Sequence, residues 1–291
     1  MKLSLVIPCL SKTDHKLLEL LRSIDAQDFP KDEMEVLVIT EGTSESAKAI
    51  GIRRAKGEVI GILASDNELT RPDFLRASYI NAVNHGATFP AYYQVNGDSL
   101  NRYFALIGGN DPLSYYMNKN DRLPHYELFS QYCSCGKSLG DNGFFVKREL
   151  INKTDLYNYY HVDNACEVRV CAIPNNHEIF HNTGGNIFHF FAKRYRYGLQ
   201  HAFNKNRRWH LVDFKQPTDI RRLAWFILAS LTIIHPLLTS IRGYLKLRDM
   251  AWFMHPIACL FTVFTYGGLM IHVLVRRMFQ SSSVPMVAPS R

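Results

Sequence analysis

Hydrophobic positions in the first part of the chain fall into alternating strand-like and helix-like runs. Leu3–Ile7 is a short Leu, Val and Ile run closed by Pro8, the pattern of a buried strand stopped at a loop. Leu17, Leu18, Leu20, Leu21 and Ile24 recur at helical spacing over residues 16–27, with Thr13 or Asp14 placed to cap the helix. Glu35–Thr40 reads as a second strand and Ser44–Lys56 as a helix ending at Gly57. Glu58–Ala64 is a third strand and Pro72–Val83 a further helix. This alternation predicts an α/β fold, a mostly parallel sheet with helices on both faces. Ligands of such sheets bind beyond the carboxyl ends of the strands, so the loops Pro8–Asp14, Glu41–Glu45 and Ser65–Thr70 are where to search.

Residues 85–124 are aromatic and rich in Asn, and the pattern predicts only mixed short elements there. Asp141-Asn142-Gly143 forms a turn signal before the strand-like Phe144-Phe145-Val146, and Phe188–Phe203 interleaves aromatic with basic residues like an amphipathic surface helix. The last third changes character, because neither Leu223–Ile241 nor Ala251–Val275 contains Asp, Glu, Lys or Arg. As helices these runs would extend roughly 28 and 37 Å, against a hydrocarbon core of about 30 Å. They predict a hydrophobic helical hairpin, with Pro236 kinking its first arm and Pro256 in the opening turn of its second. If both arms crossed, the connector with Arg242, Lys246 and Arg248 would face the non-cytoplasmic side, against the positive-inside tendency. A shallow or re-entrant hairpin is the alternative.

Composition narrows the class. A chain of 291 residues with 47% hydrophobic and 21% charged residues has enough apolar material for a sizeable core, which excludes a disordered or disulfide-stapled chain. The 34 Lys and Arg against 26 Asp and Glu give a net charge of +8. The basic residues flank the apolar segments, from Lys193, Arg194 and Arg196 to Arg276 and Arg277, and point to a membrane surface and not to nucleic acid. The cysteines Cys9, Cys133, Cys135, Cys166, Cys171 and Cys259 lack zinc-ribbon spacing and are expected to be reduced thiols. The apolar run at residues 3–7 is too short for a signal peptide, so the expected location of the globular part is the cytoplasmic face of a membrane.

Two acids stand where chemistry is expected. Glu41 follows the second strand, where a carboxylate can accept base or ribose hydrogen bonds. Asp66 follows the third, where a hard oxygen ligand can hold Mg²⁺ or Mn²⁺ on a diphosphate.

Together, Leu5-Val6-Ile7-Pro8, the run Gly51-Ile52 through Ala55-Lys56-Gly57-Glu58, and Ser65-Asp66-Asn67 are similar to glycosyltransferase family 2, of GT-A (Rossmann-like) fold. Asp141-Asn142-Gly143-Phe144-Phe145-Val146-Lys147-Arg148 resembles the family's acceptor-side segment, and the likeness covers roughly residues 1–200. The resemblance implies an inverting transfer from a UDP- or GDP-sugar to an acceptor that, in members with a hydrophobic hairpin, is lipid-linked and often polyprenyl. It places Pro8, Cys9, Leu10, Glu41, Lys48, Ser65 and Asp66 around the nucleotide sugar, and Asp141, Asn142, Gly143, Lys193 and Arg194 near the acceptor. Asp163, in His161-Val162-Asp163, is the implied catalytic base, and His181 joins Asp66 as the implied ligand of a divalent cation. Ala64 stands where the family's motif has its first acid, and Val162 where it has another. A catalytically degenerate nucleotide-sugar-binding or scaffold protein is therefore the alternative. The expected division is a nucleotide-sugar half (1–95), an acceptor half (96–204), a basic juxtamembrane linker (205–222), the hairpin (223–277) and a disordered tail (278–291).

Overall fold

The computed structural model describes residues 1–9, 11, 13–42, 44–120, 122–125, 142–153, 172–183, 186–203 and 211–281. Its centre is a seven-stranded sheet in the order β2-β1-β3-β6-β5-β7-β4. The strands are β1 (Leu3–Pro8), β2 (Met34–Ile39), β3 (Val59–Ile62), β4 (Asn67–Leu69), β5 (Ala87–Tyr93), β6 (Phe144–Lys147) and β7 (Ala172–His181). The expected strands and helices of the first 85 residues all form, but the sheet is mixed and not mostly parallel. β1 runs parallel to β2 and β3, and β5 to β7, while β6 is antiparallel to both β3 and β5, and β4 to β7. Antiparallel β6 starts where β3 ends, Gly143 N–H bonding to Ile62 C=O at 2.9 Å, so it runs back through the centre of the sheet. A fully buried apolar strand has the same pattern in either direction, which is why the sequence did not reveal the reversal.

Alternating side chains of β1 divide the core. Leu3, Leu5 and Ile7 pack with α1 (His15–Asp25) and α3 (Phe74–His85), while Val6 packs on the other face with α2 (Ser44–Arg54) and α6 (Arg148–Lys153). Helices therefore cover both faces, as expected. Asp14 caps α1 by accepting the Lys16 N–H at 3.1 Å. The stretch around residues 85–124 resolves into β5, α4 (Ser99–Ile107) and α5 (Pro112–Met117).

At the amino end of β1 the buried Ser4 hydroxyl donates to Glu35 Oε1 at 2.6 Å and accepts the Gly57 N–H at 2.6 Å. Gly57 must be glycine there, since a Cβ would stand 2.5 Å from Ser4 N and 2.6 Å from Leu3 C, both backbone atoms.

A helical layer follows: α7 (Ile187–Phe203), α8 (Pro217–Thr232), α9 (Ile234–Leu247) and α10 (Met254–Ser281). It differs from the expected hairpin. The first apolar run is two helices bent by 87°, broken at Ile233, which takes a left-handed φ of 62°. Pro236 explains the position of the break: it lacks the N–H that would bond Thr232 C=O, and its ring would collide with that carbonyl. The proline thus ends α8 four residues upstream and itself sits in the first turn of α9, where its missing N–H costs nothing. Among the described residues only Met250–Arg276 is long and apolar enough on its own to cross a bilayer, and Pro256 does lie in the opening turn of α10.

Replacing Gly57 by Ala should lower stability by about 1–3 kcal/mol, because the colliding atoms are backbone and cannot rotate away. Urea denaturation of the two proteins checks this.

Candidate active site

The strand directions bring several chain segments to one edge of the sheet. β1, β2, β3, β5 and β7 end there, and β4 and β6 begin there. Asp66 lies in the turn between β3 and β4. That turn is locked by Asn67, whose N–H donates to Ala64 C=O at 3.0 Å and whose Oδ1 accepts the Ala64 N–H at 2.8 Å. Its register with β7 places Asn67 opposite His181, and the Asn182 N–H donates to Asp66 C=O at 2.8 Å. The outcome is Asp66 Oδ1 at 3.4 Å from His181 Nε2, with the two side chains only 19% and 11% exposed.

Positive charge surrounds this pair. Lys16, in the first turn of α1, donates to Asn182 C=O at 2.8 Å, and the charge of Lys193 on α7 is felt at Asp66. Burial pushes the Asp66 carboxyl up, but the His181 imidazole beside it, with Lys193 and Lys16 behind, outweighs burial and leaves it below the ordinary carboxylate value. Arg194 donates to Asn110 C=O at 2.9 Å and stacks on Phe190, 5.1 Å from the ring centre.

His181 is held from three sides. Its ring packs on Tyr93 with centroids 5.5 Å apart, and its Nδ1 lies 3.1 Å from Asn110 Nδ2. The buried Asn110 Oδ1 has no hydrogen-bond partner among the described residues, so nothing on that side fixes which way the amide is turned. With Oδ1 facing the ring, Asn110 accepts the Nδ1 proton and leaves a lone pair on Nε2, the arrangement of a metal-binding histidine. The segment after β7 is gripped by α4, where Asn101 Oδ1 accepts the Thr183 N–H at 2.9 Å and also the Thr183 hydroxyl.

The residues fit a divalent cation shared with a substrate. Two neighbouring ligands of an octahedral Mg²⁺ at 2.0–2.1 Å stand about 3 Å apart, close to the separation of the Asp66 and His181 atoms. Such ions characteristically take one or two protein ligands and complete their shell with phosphate oxygens and water. Among the described residues no third His, Cys, Asp or Glu joins these two. The position of the missing acid is Ala64, two residues before Asp66.

The other expected site residues divide. Cys9 follows β1 at the same edge, buried, its thiol donating to Ser11 C=O at 3.0 Å. Pro8 ends β1, Ser65 shares the Asp66 turn, and Lys48 is buried in α2. Glu41 stands exposed beyond β2, forked against Arg54 at 3.1–3.2 Å. Asn142 is committed to the fold: its amide donates to Tyr93 Oη at 2.8 Å, its Oδ1 accepts from Asn67 at 3.2 Å, and its C=O accepts from Arg122. It joins β6, β5 and the Asp66 turn, and Gly143 beside it is buried. His177, four residues before His181, pairs instead with Asp73 at 3.3 Å. Leu10, Asp141 and Asp163 lie outside the described residues. Lys16, Tyr93, Asn101 and Asn110 were not anticipated; no local motif marks them, since only the strand and helix pairings bring them to His181.

No protein-family model matches the chain, and no curated protein does. Solved structures similar to it include TarS of S. aureus, at TM-score 0.44 and 16% identity over 87% of this chain and 54% of that one. This chain thus spans about half the length of that structure. The TarS 1–349 piece in complex with UDP-GlcNAc scores 0.42 at 14% identity, covering 92% of each chain. A mannosyltransferase of Pyrobaculum calidifontis, PcManGT, in complex with GDP-Man and Mn²⁺, scores 0.48 at 14% identity over 92% of this chain and 87% of that one.

Asn101→Leu should cost about 1 kcal/mol, because it removes the acceptor of two half-buried donors of Thr183. Urea denaturation measures the loss, and amide exchange at Thr183 should rise with it.

Proposed function

We propose that the protein is an inverting glycosyltransferase working at a membrane surface, taking a UDP- or GDP-sugar as donor and a lipid-linked, polyprenyl-type acceptor. The observation that carries the reading is the Asp66–His181 pair at the carboxyl edge of the sheet, with Lys16 and Lys193 around it. The family likeness of the motifs between Leu5 and Arg148, covering roughly residues 1–200, supports it.

Asp66 and His181 would hold the cation, which when bound neutralises charge on the departing diphosphate. Asn110 sets the imidazole so that Nε2 faces Asp66, and Tyr93 keeps the ring from swinging. Lys16 and Lys193 add fixed positive charge at the same place, so part of the leaving-group stabilisation comes from the chain itself. Glu41 and the turn after Pro8 flank the place for a nucleoside, and the exposed Glu41–Arg54 contact is weak enough to be exchanged for one. Asp163 would remove the acceptor proton as the hydroxyl attacks the anomeric carbon from the face opposite the leaving nucleotide. The division into a donor half, an acceptor half and a membrane-seated helical part belongs to the same reading, with the body on the cytoplasmic face.

One observation favours a second reading, a binding protein without turnover: Ala64 in place of an acid and no third ligand among the described residues.

A panel of UDP- and GDP-sugars read by thermal shift with Mn²⁺, followed by turnover of any stabilising donor on a polyprenyl-diphosphate-linked sugar, whose hydroxyl is the nucleophile, separates the two. The proposal expects a shift with one donor, turnover abolished by EDTA, and a loss of at least about a hundredfold in Asp66→Asn. Donor binding with no turnover on any acceptor would favour the second reading, and no shift with any donor would sink both.

A further inference from the structure

The helices α8 and α9 carry their side chains inside out. Apart from Asp219 and Phe226 of α8, the residues facing the body are small ones: Ala229, Ser230, Pro236, Ser240 and Gly243 are all buried. Large apolar residues face away, with Trp225 at 49% exposure, Leu228 at 58%, Leu231 at 54%, Ile234 at 66%, Leu238 at 47% and Ile241 at 40%. A helix pair packed for water has the opposite arrangement, whereas small residues inside and large apolar ones outside suit a lipid surround.

Both ends of the pair are tied to the same body. At the start of α8, the buried Asp219 pairs with Lys119 just beyond α5 at 2.6 Å, and Arg222 donates to Met117 C=O at 3.0 Å. Past the end of α9, Asp249 pairs with Arg102 of α4 at 2.6 Å, and Trp252 is buried against Leu100, Tyr103 and Phe104. Gly243 lets α9 lie on that indole, since a Cβ would stand 2.2 Å from its ring. Helices α4 and α5 are neighbours in one packed unit, joined to the sheet by the Leu123 N–H donating to Ala91 C=O at 2.9 Å. A path that leaves this unit and comes back to it cannot end across a bilayer from it.

Lengths agree. The uncharged part of α8, from Leu223 to Thr232, extends about 15 Å, and that of α9, from Ile234 to Ile241, about 12 Å. Each is about half of the roughly 30 Å hydrocarbon core, and the 87° elbow between them makes a tip rather than a rod. Exposed Arg221 precedes the first arm, and exposed Arg242, Lys246 and Arg248 follow the second, so positive charge sits at both shoulders where anionic headgroups would lie.

We infer that α8 and α9 form a re-entrant wedge: the elbow at Ile233 and Ile234 enters one leaflet of an anionic bilayer, and the chain returns to the side on which the body stands. This rests on the membrane attachment proposed above and settles the connector's side, since Arg242, Lys246 and Arg248 need not be translocated.

The test uses the full chain and preformed vesicles of phosphatidylcholine with phosphatidylglycerol. Flotation asks whether the protein binds them, and an impermeant polyethylene-glycol maleimide added outside asks where Lys246→Cys lies, read as a gel increment over the parent chain. The wedge predicts flotation, a full extra increment without detergent, and at least a tenfold weaker flotation of Leu231→Glu/Ile234→Glu at unchanged melting temperature. Flotation with Lys246→Cys protected until detergent is added would overturn the re-entrant path and leave the membrane attachment standing. Failure to float, with a dimer in solution that the double variant dissociates, would assign the face to a second copy and overturn both. Failure to float as a monomer would overturn both as well.

Discussion

A carboxylate and an imidazole stand 3.4 Å apart at the point where β3 turns into β4 and β7 ends, and the surrounding structure converges on keeping them there. Neither group is placed by its own neighbours in sequence alone. Asp66 depends on the Asn67 lock, and Asn67 is tied through Asn142 to the first residues of β6 and the last of β5. His181 depends on the β4–β7 register, on Tyr93 behind its ring and on Asn110 at its second nitrogen. The mixed sheet is what makes this possible. A reversed β6 brings Asn142 to the carboxyl edge, where a parallel strand in the same place would have brought its own end.

The helical layer is attached to this centre through the same two segments that hold the site, helix α4 and the loop that opens α5. Asn101 of α4 grips Thr183 beside the site, and its neighbour Arg102 holds Asp249 at the end of the wedge. Asn110 touches His181, and its neighbour Asp111 accepts a hydrogen bond from Tyr266 of α10. Adjacent residues thus face opposite ways, one toward the site and one toward the apolar helices.

Much of the sheet-forming half was legible in the sequence. Leu3–Ile7, the helical spacing of Leu17 to Ile24 and the strands before Glu41 and Asp66 carry strong periodicity, and each forms near the expected limits. Strand direction was not legible, because Phe144-Phe145-Val146 buries both faces and looks the same either way. Pro236 was noticed, but its effect falls at Thr232, where the missing hydrogen bond would have been accepted, and the break is a right-angled elbow instead of a kink. At the site, Asp66 was visible as an acid after a strand, while Lys16, Asn101 and Asn110 come from a helix start and a stretch without clear period. Asn142 was singled out from its Asn-Gly turn, and the bonds of its amide to Tyr93 and Asn67 come from strand pairings that a local motif does not show.

The central claim is that Asp66 and His181 together bind a cation that also binds a nucleoside diphosphate. Electron–nuclear double resonance of Mn²⁺ added to the protein with UDP or GDP reads this directly. The account predicts a nitrogen coupling from one imidazole alongside phosphorus couplings, with the nitrogen signal lost in His181→Ala and the phosphorus signal retained. Phosphorus couplings alone in the unaltered protein, or the same nitrogen coupling after His181 is removed, would contradict it.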